Sequence, residues 1–307
     1  MVGPVLITGG AGFIGRRLVA QLVDRGWPVR LVDDLSVARD FPAWPGVDCQ
    51  HLDIRDPAAM ATACADVEAV VHLAALHHIP TCRAEPRRAV DINIVGTQTV
   101  LDAMPRGRVV LASTGAVYAW QDGPLGEDAP LDPSDIYAVT KATNERQAAL
   151  WAEQPQRSLR IARIFNVIGP GDPNGHLIPD VLNRLAAAPT DGSALALKVG
   201  NLAPRRDVID VEDVASGLVH LLSDADGPDA PTVYNLCSGR EVDVRTLIET
   251  LAACRGIPVR LTPDPALMRS GDRPSQWGNP ERMAERFGWR ATRSLADSLT
   301  AIVRAGG

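Results

Sequence analysis

The 307-residue sequence lacks any apolar run near the roughly 18 residues that a membrane-spanning helix requires, which excludes a protein anchored by such a helix. Its first fifteen residues also lack a basic segment followed by a long apolar stretch, so they do not resemble a secretory signal. We therefore expect a cytoplasmic protein with no membrane partner.

Cysteine is scarce, and the five residues form no CxxC pair: Cys49, Cys64, Cys82, Cys237 and Cys254. An odd number without that motif favours reduced thiols over a disulfide framework. No group of His, Cys and carboxylates has the spacing of a metal site. His77 and His78 are adjacent, and adjacent side chains on a strand or helix face different ways, so no bound metal is expected.

Positive charge is in the minority, because 31 Lys and Arg against 37 Asp and Glu give a net charge of −6. Nucleic-acid binding depends on clustered positive charge, so a nucleic-acid partner is not expected. The chain is 46% hydrophobic and 22% charged, which is ordinary for a globular protein and excludes a disordered chain or a coiled coil. A small anion can still bind at a local arginine or at a helix N-terminus.

What the sequence does contain is an alternation of short β-branched runs with helical stretches. Five runs predict strands, at residues 4–8, 29–33, 69–73, 108–112 and 159–163. These runs are continuously apolar, which is typical of strands buried on both faces. The alternation therefore predicts an α/β fold with a doubly wound parallel sheet of the Rossmann type.

The pattern changes after residue 168, where a loop dense in Gly, Pro, Asp and Asn covers residues 169–175. Further helices are predicted at residues 178–187, 211–222, 244–255 and 295–303, with a strand at 232–235. We expect a Rossmann unit over residues 1–168 and a smaller mixed α/β lobe over residues 169–307. Part of the stretch 205–240 is expected to return to the first unit.

The strongest local motif is TGGAGFIG at residues 8–15, which follows the first strand and opens the first helix. Gly9 permits a tight turn, Gly12 lets the backbone approach a pyrophosphate, and Gly15 lets the helix pack closely on the sheet. The helix N-terminus offers N–H groups and a partial positive charge to a diphosphate. A tight structural turn is the alternative, but the position between strand and helix favours a bound dinucleotide.

Asp33 ends the second strand, where a carboxylate can hydrogen-bond a ribose 2′-hydroxyl and repel a 2′-phosphate. Asp34 adds to that repulsion. The pair therefore predicts NAD rather than NADP, although Arg30 and Arg39 lie near in sequence and can weaken the preference.

Two further segments lie at the same predicted edge of the sheet. Asp53 has two interpretations, as a contact to the adenine amino group or as the N-cap of the helix that follows. The sequence His72-Leu73-Ala74-Ala75 ends the next strand, where its small alanines let a cofactor lie against the backbone. We expect His72 itself to be a packed core residue.

Tyr137 and Lys141 are four residues apart, which places both on one face of a helix. A free phenol has a pKa near 10, and a neighbouring ammonium lowers it. Such a Tyr can exchange a proton with a hydroxyl while a hydride moves. A surface Tyr beside a surface Lys is common, but Ser113 and Thr114 place two hydroxyls directly after a buried strand, at the same predicted edge.

Together these motifs resemble the extended short-chain dehydrogenase/reductase family of nucleotide-sugar epimerases, dehydratases and reductases, over about residues 3 to 305. The resemblance implies Tyr137 as acid/base and Thr114 as the third catalytic member, with Ser113 as the alternative. It implies that Lys141 lowers the pKa of Tyr137 and holds the nicotinamide ribose. The implied cofactor is NAD, held by Gly9, Gly12, Phe13, Ile14, Gly15, Asp33, Asp53, Ile54, Leu73, Ala74, Ala75, Tyr137 and Lys141.

One departure from the family pattern narrows the chemistry. In the 4,6-dehydratases of this family an Asp-Glu pair follows the catalytic Thr, and UDP-glucuronate decarboxylases carry a Glu at the second of these positions. Gly115 and Ala116 stand there in this chain and carry no titratable group. With dehydration and decarboxylation disfavoured, the expected reactions are hydride transfer at C4 of the sugar or proton exchange beside a ketone.

The C-terminal half resembles GDP-4-keto-6-deoxymannose reductases, notably at residues 233–239 and 267–275. Asn166 resembles the family residue that contacts the nucleotide-diphosphate sugar. Arg206 and Arg273 are candidates for a bidentate clamp on its diphosphate, with surface salt bridging as the alternative. Arg205 is adjacent to Arg206 and could take its place in the clamp. Gln276 stands where relatives often carry an acidic residue that contacts a ribose.

The loop after residue 75 carries His77, His78 and Cys82, which either shape the sugar pocket or supply a second acid/base. The leading expectation is an NAD-dependent nucleotide-sugar epimerase acting through a 4-keto intermediate. The alternative is an NAD(P)H-dependent 4-keto-6-deoxy-sugar reductase; an unusual dehydratase and a non-catalytic dinucleotide sensor are less favoured. By family resemblance, a homodimer pairing through a four-helix interface is expected.

Overall fold

The computed structural model describes residues 3–173, 177–188, 192–224, 231–268 and 273–306. Its strands are β1 Val5–Thr8, β2 Val29–Asp33, β3 Asp48–His51, β4 Ala69–His72, β5 Gly107–Thr114, β6 Arg157–Ile164, β7 Asn166–Ile168, β8 Leu195–Val199, β9 Arg205–Asp210, β10 Thr232–Leu236, β11 Glu241–Asp243, β12 Val259–Pro263 and β13 Ser275–Gln276.

The helices alternate with these strands through most of the chain. They are α1 Phe13–Asp24, α2 Pro57–Cys64, α3 Ile79–Ala84, α4 Pro86–Val90, α5 Gly96–Asp102, α6 Ile136–Trp151, α7 Leu177–Leu185, α8 Val211–Ser223, α9 Val244–Cys254, α10 Glu281–Phe287 and α11 Leu295–Gly306. A π-helical turn over Asp91–Val95 joins α4 to α5, and a 3₁₀ turn over Gly115–Val117 follows β5.

A seven-stranded sheet in the order β10-β6-β5-β4-β1-β2-β3 forms the centre, and each neighbouring pair within it is parallel. Both faces of this sheet are covered. In β1, Val5 and Ile7 belong to one core and Leu6 to the other, because successive side chains of a strand point to opposite faces. The expectation of a doubly wound parallel sheet is confirmed.

The chain returns to this sheet after residue 204. Helix α8 packs against α1, where Arg17 pairs with Glu212 at 3.2 Å, and strand β10 then pairs with β6. A separate core lies between α7, α9, α11 and strands β8 and β9. The two cores give the chain a sheet-centred body and a smaller lobe.

A buried carboxylate on β9 helps to hold the lobe near the sheet. Asp207 is fully buried, and it accepts hydrogen bonds from the backbone N–H groups of Ser238 and Gly239 at 2.8 and 3.0 Å. A third N–H, from Gly278, lies at 3.3 Å. Burial raises the pKa of this carboxyl, and the N–H donors oppose that rise. The loops after β10 and β13 are thereby attached to β9.

Local boundaries differ from the sequence prediction in two places that matter for the site. Strand β5 runs to Thr114, so Ser113 and Thr114 end the strand rather than follow it. The N-cap of α2 is Asp56, whose carboxylate accepts from the N–H groups of Ala58 and Ala59, both at 3.0 Å. The interpretation of Asp53 as the N-cap was therefore wrong, because Pro57 starts the helix one turn later.

Among the described residues, no helix combines the length and the apolar character needed to cross a membrane. The same part of the chain contains no group of three or more His, Cys, Asp or Glu side chains arranged to hold a metal ion.

Candidate active site

The turn between β1 and α1 is packed tightly against the end of β4. Gly9 has a φ of +68°, and a Cβ there would lie 2.8 Å from the backbone nitrogen of Ala74. A Cβ on Gly15 would lie 2.4 Å from the carbonyl oxygen of Gly9. Gly12 is the N-cap of α1 and supplies no side-chain cap, so the first N–H groups of the helix are left for an anion.

Asp33 lies at the end of β2, next to this turn. Its carboxylate accepts from the N–H groups of Ala11 at 3.1 Å and Leu35 at 2.9 Å. Burial raises the pKa of Asp33, and these two hydrogen bonds oppose the rise. Arg30 is engaged elsewhere, because it pairs with Asp48 and Asp66.

His72 joins the ends of β1 and β4 from inside the protein. Its Nδ1 lies 2.6 Å from the Thr8 hydroxyl oxygen, and its Nε2 lies 2.9 Å from that of Thr97. Burial, together with the charge of Lys141, lowers the pKa of His72 to about 3, so the ring is neutral. The Thr8 hydroxyl in turn accepts from the N–H of Ala74 at 3.2 Å. His72 thus fixes the backbone at the edge of the sheet.

Tyr137 and Lys141 lie on α6, directly over the end of β5. Asp135 caps the helix by accepting from the N–H of Ala138 at 2.9 Å, which sets Tyr137 in the first turn. The Thr114 side chain lies close enough to the Tyr137 phenol to lower its pKa, and its hydroxyl accepts from the N–H of Ala116 at 3.2 Å. The Lys141 ammonium donates to the carbonyl oxygen of Ala112 at 2.9 Å. The structure therefore brings together the three residues expected to act in catalysis.

Ser113, the alternative third member, is oriented differently. Its side chain is buried, and its hydroxyl donates to the Glu145 carboxylate at 2.5 Å. Sequence reasoning did not single out Glu145, although it continues the four-residue spacing of Tyr137 and Lys141 by one more turn. The repeated four-residue spacing from Tyr137 through Lys141 to Glu145 is the sequence signal that could have identified this residue.

Burial dominates the acidity of Tyr137 in the chain alone. It raises the pKa of the phenol, and the Thr114 side chain opposes the rise only in part. Burial also lowers the pKa of Lys141, the charge of Glu145 opposes this, and the pKa that results is about 8. That Lys141 lowers the pKa of Tyr137 stays a prediction.

A buried polar network continues from Glu145 to the neighbouring strands. Arg163 donates to both Glu145 oxygens, at 3.0 and 2.7 Å, and to the carbonyl oxygen of Glu127 at 2.9 Å. Its guanidinium lies 4.6 Å from the ring centre of Tyr118. The Tyr118 hydroxyl donates to Asn235 on β10 at 2.6 Å. The end of β5 is thereby connected to the edge strand of the sheet.

The candidate substrate residues line the junction of the sheet and the smaller lobe. Asn166 is exposed and donates to the carbonyl oxygen of Asp207 at 2.8 Å. Arg206 donates to the carbonyl oxygen of Arg273 at 2.9 Å. Arg273 itself donates to the carbonyl oxygen of Tyr118 at 2.8 Å. The Arg206 side chain thus contacts the backbone of Arg273, and the Arg273 guanidinium holds the lobe to the segment after β5.

Two other candidate positions make contacts that their sequence did not indicate. Gln276 donates to the carbonyl oxygen of Gly115 at 2.7 Å, next to Thr114. The Asp53 carboxylate pairs with the Arg55 guanidinium at 2.6 Å. An adenine bound by Asp53 would therefore share this carboxylate with Arg55. Residues 269–272 of the segment that resembles the reductases lie outside the described residues, as do residues 174–176.

Cys82 lies on the short helix α3 rather than in the loop after β4, where the sequence placed it. Its side chain is fully buried, and its thiol donates to the carbonyl oxygen of Leu76 at 3.2 Å. His78 Nδ1 lies 2.8 Å from the Thr81 hydroxyl. His77 is exposed.

Comparison with known proteins extends over nearly the whole chain. A family model described as the NAD dependent epimerase/dehydratase family matches residues 5–237. The chain is 30% identical to GDP-6-deoxy-D-mannose reductase of Pseudomonas aeruginosa, covering 99% of this chain and 97% of the relative. It is 29% identical to UDP-glucose 4-epimerase of Neisseria gonorrhoeae, covering 96% and 95%. A crystal structure of UDP-glucose-4-epimerase from Stenotrophomonas maltophila with bound NAD and formylated UDP-arabinopyranose has a TM-score of 0.86 at 26% identity, covering 99% of this chain and 97% of that one.

The tight turn at Gly9 generates a stability prediction with a matched control. Both Gly9 and Gly26 have positive φ, but a Cβ on Gly26 meets nothing within 4 Å. We expect Gly26→Ala to cost about 1–2 kcal/mol of unfolding free energy through the backbone alone. Gly9→Ala should cost about 1–3 kcal/mol more, because its Cβ meets the backbone of Ala74. Urea unfolding of the two variants measures the difference, and equal losses would contradict the close packing.

Proposed function

The chain belongs to the NAD dependent epimerase/dehydratase family, and on that premise we propose that it is an NAD-dependent nucleotide-sugar epimerase acting through a transient 4-keto intermediate. The observation that carries the proposal is the packing of α6 on the end of β5, where the buried Lys141 ammonium donates to the carbonyl oxygen of Ala112 at 2.9 Å and Tyr137 lies beside Thr114. This group lies at the same edge of the sheet as the glycine turn and Asp33. An acid/base pair is thus next to a site suited to a dinucleotide.

The residues at the sheet edge fit NAD. The first turn of α1 has no side-chain cap, and its free backbone N–H groups suit a diphosphate. In the proposal the diphosphate is held by Gly9, Gly12, Phe13, Ile14 and Gly15. The Asp33 carboxylate accepts from the adenosine ribose, and the Asp34 carboxylate adjoins it, a combination that disfavours a 2′-phosphate.

The remaining cofactor contacts are proposed from position. Leu73, Ala74 and Ala75 follow β4 and leave room against the backbone, and Lys141 reaches the nicotinamide ribose. Asp53 and Ile54 are proposed near the adenine; Ile54 is itself buried and packs close to Gly96.

The proposed chemistry follows from where protons are held. Tyr137 removes the proton from the C4 hydroxyl of the sugar and returns it when the ketone is reduced. Thr114 hydrogen-bonds the same oxygen, and Lys141 holds positive charge one turn away. Bound NAD would supply the acceptor and then the donor for the C4 hydride, and its oxidised ring would add positive charge near the phenol. Between these steps the 4-keto sugar turns over, so the hydride returns to the opposite face.

The turn after Thr114 supports this chemistry over dehydration. A Cβ on Gly115 would lie 3.1 Å from the ring of Phe165, so an acidic side chain cannot be accommodated without moving that ring. Ala116 carries no titratable group. Arg206, Arg273 and Asn166 are proposed to bind the diphosphate and sugar of the substrate, with the Arg273 guanidinium exchanging its contact to Tyr118 for a phosphate.

The second candidate is a 4-keto-6-deoxy-sugar reductase that consumes NADH or NADPH. The similarity to GDP-6-deoxy-D-mannose reductase over 99% of the chain favours it. The acidic pair Asp33-Asp34 weighs against NADPH. Epimerases recycle their cofactor within each turnover, whereas reductases exchange it, and this difference separates the two candidates.

We expect the purified protein to carry NAD in a stoichiometric amount. Acid or heat denaturation should release it, and chromatography with mass detection identifies the nucleotide. A protein that is isolated without nucleotide, yet oxidises added NADH or NADPH with a 4-keto sugar nucleotide, is the reductase instead. A protein that binds no dinucleotide would contradict both.

Tyr137→Phe is expected to lower turnover by about 10²–10⁴-fold, because the proton exchange at C4 is lost. Binding of NAD should persist, since the phenol hydroxyl is a minor part of that site. Sugar epimerisation is followed by coupled assay or NMR, and cofactor content by denaturation as above. Tyr234→Phe is the control, because Tyr234 lies in the core on β10. Activity retained in Tyr137→Phe would refute the catalytic assignment.

The division of labour between the units is also proposed. Residues 1–168 bind the dinucleotide and residues 169–307 mainly bind substrate, with part of 205–240 counted in the first unit. The return of β10 to the sheet and the separate core in the lobe support this. The expected cytoplasmic location stays a prediction.

We further propose a homodimer. Apolar side chains are exposed on α4, on the π-helical turn and on α6, which pack against one another: Val90, Val95, Val139 and Leu150. Such a group of exposed apolar residues is typical of an interaction surface.

Analytical ultracentrifugation is therefore expected to give twice the 32.8 kDa mass of one chain. Leu150→Glu should shift the equilibrium to monomer by placing a charge in the apolar surface. Val37→Glu is the control, because Val37 is 59% exposed and lies after β2 rather than on these helices. A monomeric parent protein at micromolar concentration would overturn the proposal.

A further inference from the structure

Three side chains on consecutive turns of α6 contact three consecutive residues at the end of β5. Tyr137 lies beside Thr114, Lys141 donates to the carbonyl of Ala112, and Glu145 accepts from Ser113. The proposed function uses the first two of these side chains. It gives no role to Glu145.

Glu145 is buried and is held in one place. Arg163, also buried, donates to both of its carboxylate oxygens. Bidentate bonds of this kind are strong and directional, and they offset the cost of burying the carboxylate as an anion. The negative charge of Glu145 is therefore fixed one turn from Lys141.

The other titratable groups around Lys141 contribute little negative charge. On β4, His72 is neutral because burial lowers its pKa to about 3. On α3, burial raises the pKa of the Cys82 thiol, and on α6 burial raises that of the Tyr137 phenol, so both are protonated near neutral pH. On β6, Arg163 is a cation beyond Glu145. Within the described part of the chain, Glu145 is thus the anion that acts on Lys141.

Burial and the charge of Glu145 act on Lys141 in opposite directions. Burial lowers the pKa of the ammonium, the charge of Glu145 is the largest influence that opposes this, and the pKa that results is about 8. Without that anion, the Lys141 ammonium would lose its proton nearer to neutral pH.

We propose that Glu145 is a positioning residue, which keeps Lys141 cationic against the end of β5 and turns the Ser113 hydroxyl away from the reacting atoms. Its consequence for catalysis rests on the proposed function, since Lys141 acts there as a cation. Its effect on Lys141 itself does not depend on any activity.

The composition makes this effect directly measurable. The chain contains only two lysines, Lys141 and Lys198. The Lys198 side chain is 77% exposed, so it serves as an internal reference. Protein labelled with ¹³C at the lysine ε-carbon should give two signals whose shifts report the two titrations separately.

We expect Glu145→Gln to move the Lys141 transition lower by about 1–3 pH units and to leave Lys198 unchanged, because an opposite charge nearby has been removed. Glu145→Gln with Arg163→Met guards against a folding defect, since it leaves no buried charge unpaired. This double variant should move the Lys141 transition in the same direction as Glu145→Gln, by a smaller amount. Glu127→Gln is the matched control, because Glu127 is a buried carboxylate of the same network that accepts from Asn235 instead.

The activity measurement follows the same variants. If the chain is the proposed epimerase, the alkaline limb of its pH–rate profile should move to lower pH by the amount measured for Lys141. A purely structural role would lower the rate at every pH without moving the limb. A Lys141 transition that is unchanged in both Glu145 variants overturns the inference. A shifted transition in a protein with no epimerase activity supports the inference and refutes the proposed function.

Discussion

The packing of α6 against the end of β5 is the contact on which the rest of the site depends. Lys141 and Glu145 are bonded to neighbouring residues of one strand, at 2.9 and 2.5 Å, so the helix can neither slide nor rotate without breaking both bonds. Tyr137 and Thr114 meet because of that register. Strand β5 ends at the carboxyl edge of the sheet, together with β1 and β4. In a doubly wound sheet this is the edge at which ligands bind.

The sequence predicted this edge well, and the physical reason is burial on both faces. Continuous apolar runs identified the central strands, and the glycine turn with Asp33 predicted where a dinucleotide fits. Short strands at the rim, such as β7 and β11, carry no such pattern, because only three residues pair in each. Their positions are set by partners distant in sequence, such as Asp207, which binds the loops that follow β10 and β13.

Buried charge was the feature that sequence could not predict. Arg160 lies within β6, is fully buried, and pairs with Asp224 at 2.8 Å. Arg163 lies three residues further along the same strand and pairs with Glu145. An arginine in a strand usually indicates that its side chain is exposed. Burial of the guanidinium is possible only where a carboxylate on another element offsets the cost of removing its charge from water. Glu145 was overlooked for the same reason, since its spacing fits either a solvent-facing or a buried position.

The acidity of Tyr137 shows how burial and charge act together in this site. In the chain alone, burial raises the pKa of the phenol and lowers that of Lys141, so the enclosed pocket disfavours both charged forms. The same low polarity strengthens the attraction between a phenolate and any cation brought beside it. A base that ionises only when positive charge is placed next to it is poorly suited to react before the cofactor is bound. In the proposed mechanism, burial therefore links proton transfer at Tyr137 to occupancy of the neighbouring dinucleotide site, and the role inferred for Glu145 is to keep Lys141 charged beside it.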